Sequence, residues 1–130
     1  MKASKTVESI AILGASANRT KFGNKCVRAY KKLGWKVFPV NPKEKEIEGL
    51  KCYASLRDLP ERPFRVSIYL PHEITLGLVK AIADSGAREV ILNPGAESRE
   101  LVLALESKGI RPVLACSIRM EGLSPDEFRA

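Results

Sequence analysis

A chain of 130 residues, 45% hydrophobic and 28% charged, has the size and balance of one water-soluble domain with its own core, which argues against two independent domains. No apolar stretch approaches the roughly 20 residues that span a bilayer, so no membrane role is expected. The net charge of +7, from 22 Lys and Arg against 15 Asp and Glu, points to an anionic partner, but with 6% aromatics and no visible nucleic-acid module, a small phosphorylated ligand is favoured over nucleic acid.

The amino terminus, Met1 to Lys5, is basic, yet the apolar run that follows, Ile10 to Leu13, is too short for a secretion signal. Cys26, Cys52 and Cys116 are odd in number, far apart and without a Cys-x-x-Cys pair, which specifies neither a disulfide framework nor a zinc site. The chain is therefore expected to be cytoplasmic, with reduced thiols and no metal. A first strand is predicted over Ser9 to Leu13. Phe22, Cys26, Ala29, Tyr30 and Leu33 then recur at helical spacing and Gly34 closes that helix. A second strand covers Lys36 to Val40. Pro42, Pro60 and Pro63 bracket an irregular stretch with one helical turn near Leu56 to Leu59. The third strand is predicted over Arg65 to Leu70, a helix over Glu73 to Ser85 with Ile74, Leu78, Ala81 and Ile82 on one face, and the fourth strand over Glu89 to Leu92. A last helix, Glu97 to Lys108, precedes a fifth strand at Arg111 to Ala115.

Short, nearly continuous apolar strands alternating with helices are the pattern of βαβ units on a parallel sheet. The expected fold is α/β: a single doubly wound Rossmann-like domain over residues 1–130, with a parallel five-stranded sheet of order 3-2-1-4-5. Ligands of such folds bind beyond the carboxyl ends of the strands at the switch point, here expected between strands one and four.

The loop leaving the first strand carries the chemistry. Gly14-Ala15-Ser16-Ala17-Asn18-Arg19 is built of small residues and opens a helix, so its backbone can approach a pyrophosphate and offer it free N–H groups at a positive dipole end. A dinucleotide fingerprint would place glycines at 14, 16 and 19, and only Gly14 fits. The acid that would grip a ribose hydroxyl after the second strand is replaced by Asn41-Pro42-Lys43. NAD is thereby disfavoured, and a basic residue at that place favours a phosphate on the adenosine ribose, which leaves coenzyme A and NADP. From Ser9 to Lys43 there is no acidic residue, so this third of the chain carries a positive field.

Gly14-Ala15-Ser16, Lys21-Phe22-Gly23-Asn24, Pro39-Val40-Asn41-Pro42-Lys43, Gly49-Leu50-Lys51-Cys52-Tyr53 and Asp58-Leu59-Pro60 closely resemble the CoA-binding domain family, stand-alone proteins similar to the amino-terminal domain of succinyl-CoA synthetase α subunits and of ADP-forming acyl-CoA synthetases. The resemblance implies coenzyme A or an acyl-CoA as ligand. It implies phosphate contacts at Ser16, Ala17, Asn18 and Arg19 beside Gly14, Ala15 and Phe22, and a lysine near the 3′-phosphoadenosine at Lys43, or Lys45 in another register, next to Asn41 and Pro42. The strand-three exit, Tyr69-Leu70-Pro71, would border the ligand, and Asn93-Pro94-Gly95 would lie along the pantetheine; His72 follows Pro71 at the rim of that site. The resemblance does not extend to the second domain of the synthetases, with its phosphorylated histidine, so that domain is not expected here.

His72 has no carboxylate or thiol partner in sequence and reads as a rim residue, and Cys116 reads as a small buried hydrophobe. No nucleophile and base fall together, so no catalytic residue is assigned. The expected function is non-catalytic binding of coenzyme A or an acyl-CoA; an NADP-binding redox protein and a separately encoded part of an acyl-CoA synthetase, with a partner chain, are the alternatives.

Overall fold

The protein, seen in a computed structural model, is described over residues 8–130. In chain order its elements are β1 (Ser9–Leu13), α1 (Phe22–Lys32), β2 (Lys36–Val40), a small hairpin of β3 (Glu46–Ile47) and β4 (Leu50–Lys51), and a 3₁₀ turn at Leu56–Asp58. There follow β5 (Arg65–Ile68), α2 (His72–Leu76), α3 (Val79–Asp84), β6 (Glu89–Leu92), α4 (Arg99–Ser107), β7 (Val113–Leu114), α5 (Ser117–Met120) and a last 3₁₀ turn at Pro125–Glu127. No helix among them is long and apolar enough to cross a membrane.

Five strands form one parallel sheet in the order β2-β1-β5-β6-β7. β1 lies inside the sheet and is buried along its whole length. Its alternate residues feed two cores. Ala11 and Leu13 pack with Val66, Ile68, Val90, Leu92, Val79, Ile82, Leu101 and Leu105 on the side of α3 and α4, while Ile10 and Ile12 pack with Cys26, Val27, Ala29, Tyr30 and Ile118 on the side of α1 and α5. The period of 2 along a strand thus produces a sheet covered on both faces.

The third strand needs a correction. Arg65–Ile68 does not lie outside β2, as the order 3-2-1-4-5 required of it, but pairs with β1 on the other side, Ile10 opposite Arg65. The place outside β2 goes to a single parallel bridge, Val40 to Tyr53, in which the Asn41 amide donates to Tyr53 O and the Tyr53 amide to Pro39 O, both at 2.9 Å. Counted with this rudiment as the third strand, the sheet does read 3-2-1-4-5, and β7 adds a sixth strand at the edge. The switch point stays beside β1, now between β1 and β5.

The predicted helix from Glu73 to Ser85 is two helices, broken where Gly77 caps α2 and Leu78 leaves helical geometry with φ −109° and ψ 3°. Of its apolar stripe, Leu78 and Ile82 stay against the core on the α3 and α4 side of the sheet, while Ile74 does not. The predicted fifth strand shrinks to Val113–Leu114, an exposed edge.

Candidate functional site

The chain leaves β1 through Gly14, which has φ +85° and stands against β5's exit: a Cβ here would lie 3.0 Å from the Tyr69 carbonyl carbon and oxygen. Glycine is required for both reasons. Gly23, in the first turn of α1, is equally constrained, since a Cβ there would overlap the Gly14 carbonyl oxygen. Helix and turn therefore touch backbone to backbone, the role a third glycine plays in a dinucleotide fingerprint.

Between these glycines the loop has one backbone–backbone hydrogen bond of its own among the described residues, from the Lys21 amide to Asn18 O at 3.1 Å, and is otherwise held from outside. Asn24, fully buried, donates to Ser16 O at 2.9 Å and to Glu48 Oε2 at 3.1 Å. Its Oδ1 accepts from Arg28 Nε at 2.7 Å, and Arg28 Nη2 reaches Arg19 O at 2.8 Å. Asn41 donates to Ala15 O at 2.8 Å and accepts from the Lys43 amide at 2.7 Å, fastening the end of β2 to the same turn. The amides of Ala15, Ser16 and Ala17 make no hydrogen bond among the described residues. α1 starts at Lys21 with no side-chain cap and no acid in its first turn. An extended turn with free N–H groups leading to an uncapped helix start is a place that an anion stabilises.

Two cavities meet at this turn. The first, about 800 Å³, runs along Ser16, Phe22, Tyr69 and Pro71 to Pro94 and Gly95. The second, about 700 Å³, lies toward β2 and the α2–α3 segment, along Pro42, Lys43, Leu56, Ile74 and Leu78. Gly14, Asn41 and Leu70 belong to both. Together they make a groove across the carboxyl ends of β1, β2, β5 and β6.

Of the residues singled out from sequence, Gly14, Ala15, Ser16, Phe22, Asn41, Leu70, Pro71, Pro94 and Gly95 line the first cavity, and Pro42 and Lys43 the second. Ala17, Asn18 and Arg19 line neither. They form the exposed outer rim, where the Asn18 amide donates to Ser16 Oγ, Asn18 Oδ1 accepts from Thr20, and Arg19 pairs with Glu48 at 3.3 Å. His72 also lies outside both cavities, its Nδ1 without a partner among the described residues and its Nε2 3.7 Å from Glu73. Asn93 sits beneath the groove: it is 1% exposed, donates to Ser67 Oγ and Ile68 O at 2.9 Å each, and accepts from the Ser117 amide at 2.8 Å. Every polar group of its amide head is engaged in tying β5, β6 and α5 together, so it holds the Pro94-Gly95 loop from below.

Sequence reasoning missed Arg57, Ile74 and Lys80 in the second cavity. One signal was available for Ile74. It belonged to an apolar helical stripe assigned to the core, yet it is 54% exposed, so that stripe's first member faces the cavity instead.

Nucleophilic chemistry finds little support here. Burial pushes the Cys26 thiol up to about 12, which keeps it protonated and inert, and Cys116 lines neither cavity. Among the described residues no cluster of three or more His, Cys, Asp or Glu is placed to hold a metal ion.

Known proteins share this architecture. The profile of the CoA binding domain family matches residues 8–122. The chain is 32% identical over 116 residues to ADP-forming acetate–CoA ligase II of Archaeoglobus fulgidus, covering 80% of this chain and 17% of the ligase; it spans less than a fifth of the length of the ligases it matches. Among solved structures it is similar to a conserved hypothetical protein from Pyrococcus furiosus, 37% identical with a TM-score of 0.81, over 88% of this chain and 98% of that one. It is also similar to the dinucleotide-forming acetyl-coenzyme A synthetase 1 of Candidatus Korarchaeum cryptofilum, solved with phosphate and ADP, at 30% identity and a TM-score of 0.73 over 83% of this chain and 25% of that one. By its family match over most of its length, and by the sheet and glycine turn that go with it, the chain belongs to the CoA binding domain family.

Proposed function

We propose that this protein binds coenzyme A or an acyl-CoA in the groove and carries out no reaction of its own. The pyrophosphate rests on the free amides of Ala15 to Ala17, in the loop that leads to α1. The adenosine enters the second cavity past Pro42 and Lys43, and the pantetheine arm follows the first cavity along Phe22, Pro71, Pro94 and Gly95. The observation that carries this reading is the bare turn itself: free N–H groups, an uncapped helix start without an acid, and a glycine whose Cβ has no room, all at the junction of two cavities. The pairing of one polar junction with two arms of groove matches a ligand with a central pyrophosphate and two unlike ends.

Calorimetric titration tests it. CoA is expected to bind while NAD does not, and Lys43→Ala is expected to weaken CoA by about 1 to 3 kcal/mol, the range for a charge-assisted hydrogen bond. NADP binding far more tightly than CoA would move the chain to a redox role. A second reading, a separately encoded part of an acyl-CoA synthetase, is favoured by the similarity to a small portion of much longer ligases; it predicts acyl-CoA turnover only when a second protein is added.

A further inference from the structure

The second cavity has apolar walls and a charged mouth. Leu56, Ile74 and Leu78 line it together with three cations, Lys43, Arg57 and Lys80, which come from three different parts of the chain: the loop after β2, the 3₁₀ turn and α3. Arg57 Nη1 and Lys80 Nζ each lie 3.1 Å from the same oxygen, Asp84 Oδ2. Lys80 and then Arg57 hold the Asp84 carboxyl below its ordinary range. One carboxylate shared between two cations leaves positive charge uncompensated, and Lys43 makes no ion pair among the described residues. Pairs as exposed as these, with side chains 55% and 76% accessible on the cationic side, contribute little to stability. What the arrangement does have is three cationic residues lining one largely apolar cavity, two of them held by Asp84, which stands outside that cavity.

We infer that Arg57 and Lys80, together with Lys43, form a cationic cradle that selects a nucleotide carrying a phosphate on its adenosine ribose over the same nucleotide without it. This rests on the reading of the groove as a CoA site and adds two specificity-determining residues to it. With the pyrophosphate at Gly14 and the base against Ile74 and Leu78, the ribose lies near the cavity mouth, where its phosphate meets the guanidinium and the two ammonium groups. Arg57 supplies planar paired donors, and the lysines supply point charges.

The test is calorimetry on the unmodified protein, on Arg57→Gln/Lys80→Gln and on Arg57→Lys, with CoA, dephospho-CoA, adenosine 3′,5′-bisphosphate and NADP as probes and circular dichroism as the check on folding. In the double variant the dissociation constant for CoA is expected to rise about tenfold or more, as for the loss of one or more charge-assisted contacts, and that for adenosine 3′,5′-bisphosphate with it. That for dephospho-CoA stays within about twofold, and Arg57→Lys falls between the parent and the double variant. Equal weakening of CoA and dephospho-CoA, or no change for CoA, would overturn the cradle while leaving the CoA site standing. NADP competing as well as CoA would support the cradle as a reader of ribose phosphate and refute the choice of CoA. Absence of any CoA binding by the unmodified protein would refute the underlying reading itself.

Discussion

Ser16→Trp is expected to weaken CoA binding by at least about a hundredfold, roughly 2.7 kcal/mol, in a protein that still unfolds cooperatively. Ser16 lies in the first cavity between the free amides of Ala15 and Ala17, so an indole there occupies the volume a pyrophosphate needs and blocks approach to the N–H groups. The fold has little reason to respond. The Ser16 side chain accepts one hydrogen bond, from the exposed Asn18 amide at 3.0 Å, and the tie to buried Asn24 runs through the Ser16 carbonyl, which the substitution keeps. Calorimetry against CoA, paired with a thermal melt, separates the two effects. Unchanged affinity in a folded variant would place the ligand away from the turn.

Arg65→Ala is expected to be the most damaging single change to stability, about 3 to 5 kcal/mol, the usual cost of removing one partner from a buried ion pair. Arg65 is 6% exposed. Its guanidinium donates to Glu89 at 2.7 Å, to Glu121 at 3.0 Å and to the Tyr30 hydroxyl at 2.8 Å, and lies over the Trp35 ring with its central carbon 4.8 Å from the centroid. Tyr30 passes the connection on to Ser117 O at 2.7 Å. Truncation leaves two carboxylates and a buried hydroxyl without their donor, and it removes the pin between β5, β6, α1 and the loop after α5. Since a domain of this size has only about 5 to 15 kcal/mol in hand, the urea midpoint should fall by roughly a fifth or more of the parent value. A midpoint within about a tenth of the parent would show that the three acceptors are satisfied by water. The cluster lies at the amino-terminal ends of the strands, opposite the groove, so CoA affinity in the fraction that remains folded should not change.

Most of the sheet can be read from the sequence because its strands are buried on both faces. β1, β2 and β6 have the limits that the apolar runs predict, since a continuous Val, Ile and Leu run bounded by Gly or Asn has few other ways to hide. β5 ends at Ile68, two residues before its apolar run does, because Tyr69 and Leu70 leave the sheet to line the groove. Apolar character marks burial against something, and here that something is a cavity. The side of β1 on which Arg65–Ile68 returns is not encoded locally; it depends on a crossover whose one β-bridge to the sheet, among the described residues, is Val40 to Tyr53.

The groove divides along the same line. Gly14 and Ser16 were visible because a close backbone approach restricts residue type. Asn93 looked like a ligand residue, but its amide is consumed by Ser67, Ile68 and Ser117, partners 24 to 26 positions away that no local pattern announces. Arg57 and Lys80 are separated by 23 positions and brought to one cavity only by the packing of the 3₁₀ turn on α3. Charged residues at such spacing read as ordinary solvated surface, so a selectivity device made of them stays hidden until the fold is known.

A crystal structure of the protein with CoA is the most direct test of the account. It should show the pyrophosphate within hydrogen-bond reach of the Ala15 to Ala17 amides, the adenine between Pro42 and Ile74, and the pantetheine passing Phe22 toward Pro94 and Gly95. A ligand ordered elsewhere, for instance along the lysines of α1, with the Gly14 turn empty, would contradict it.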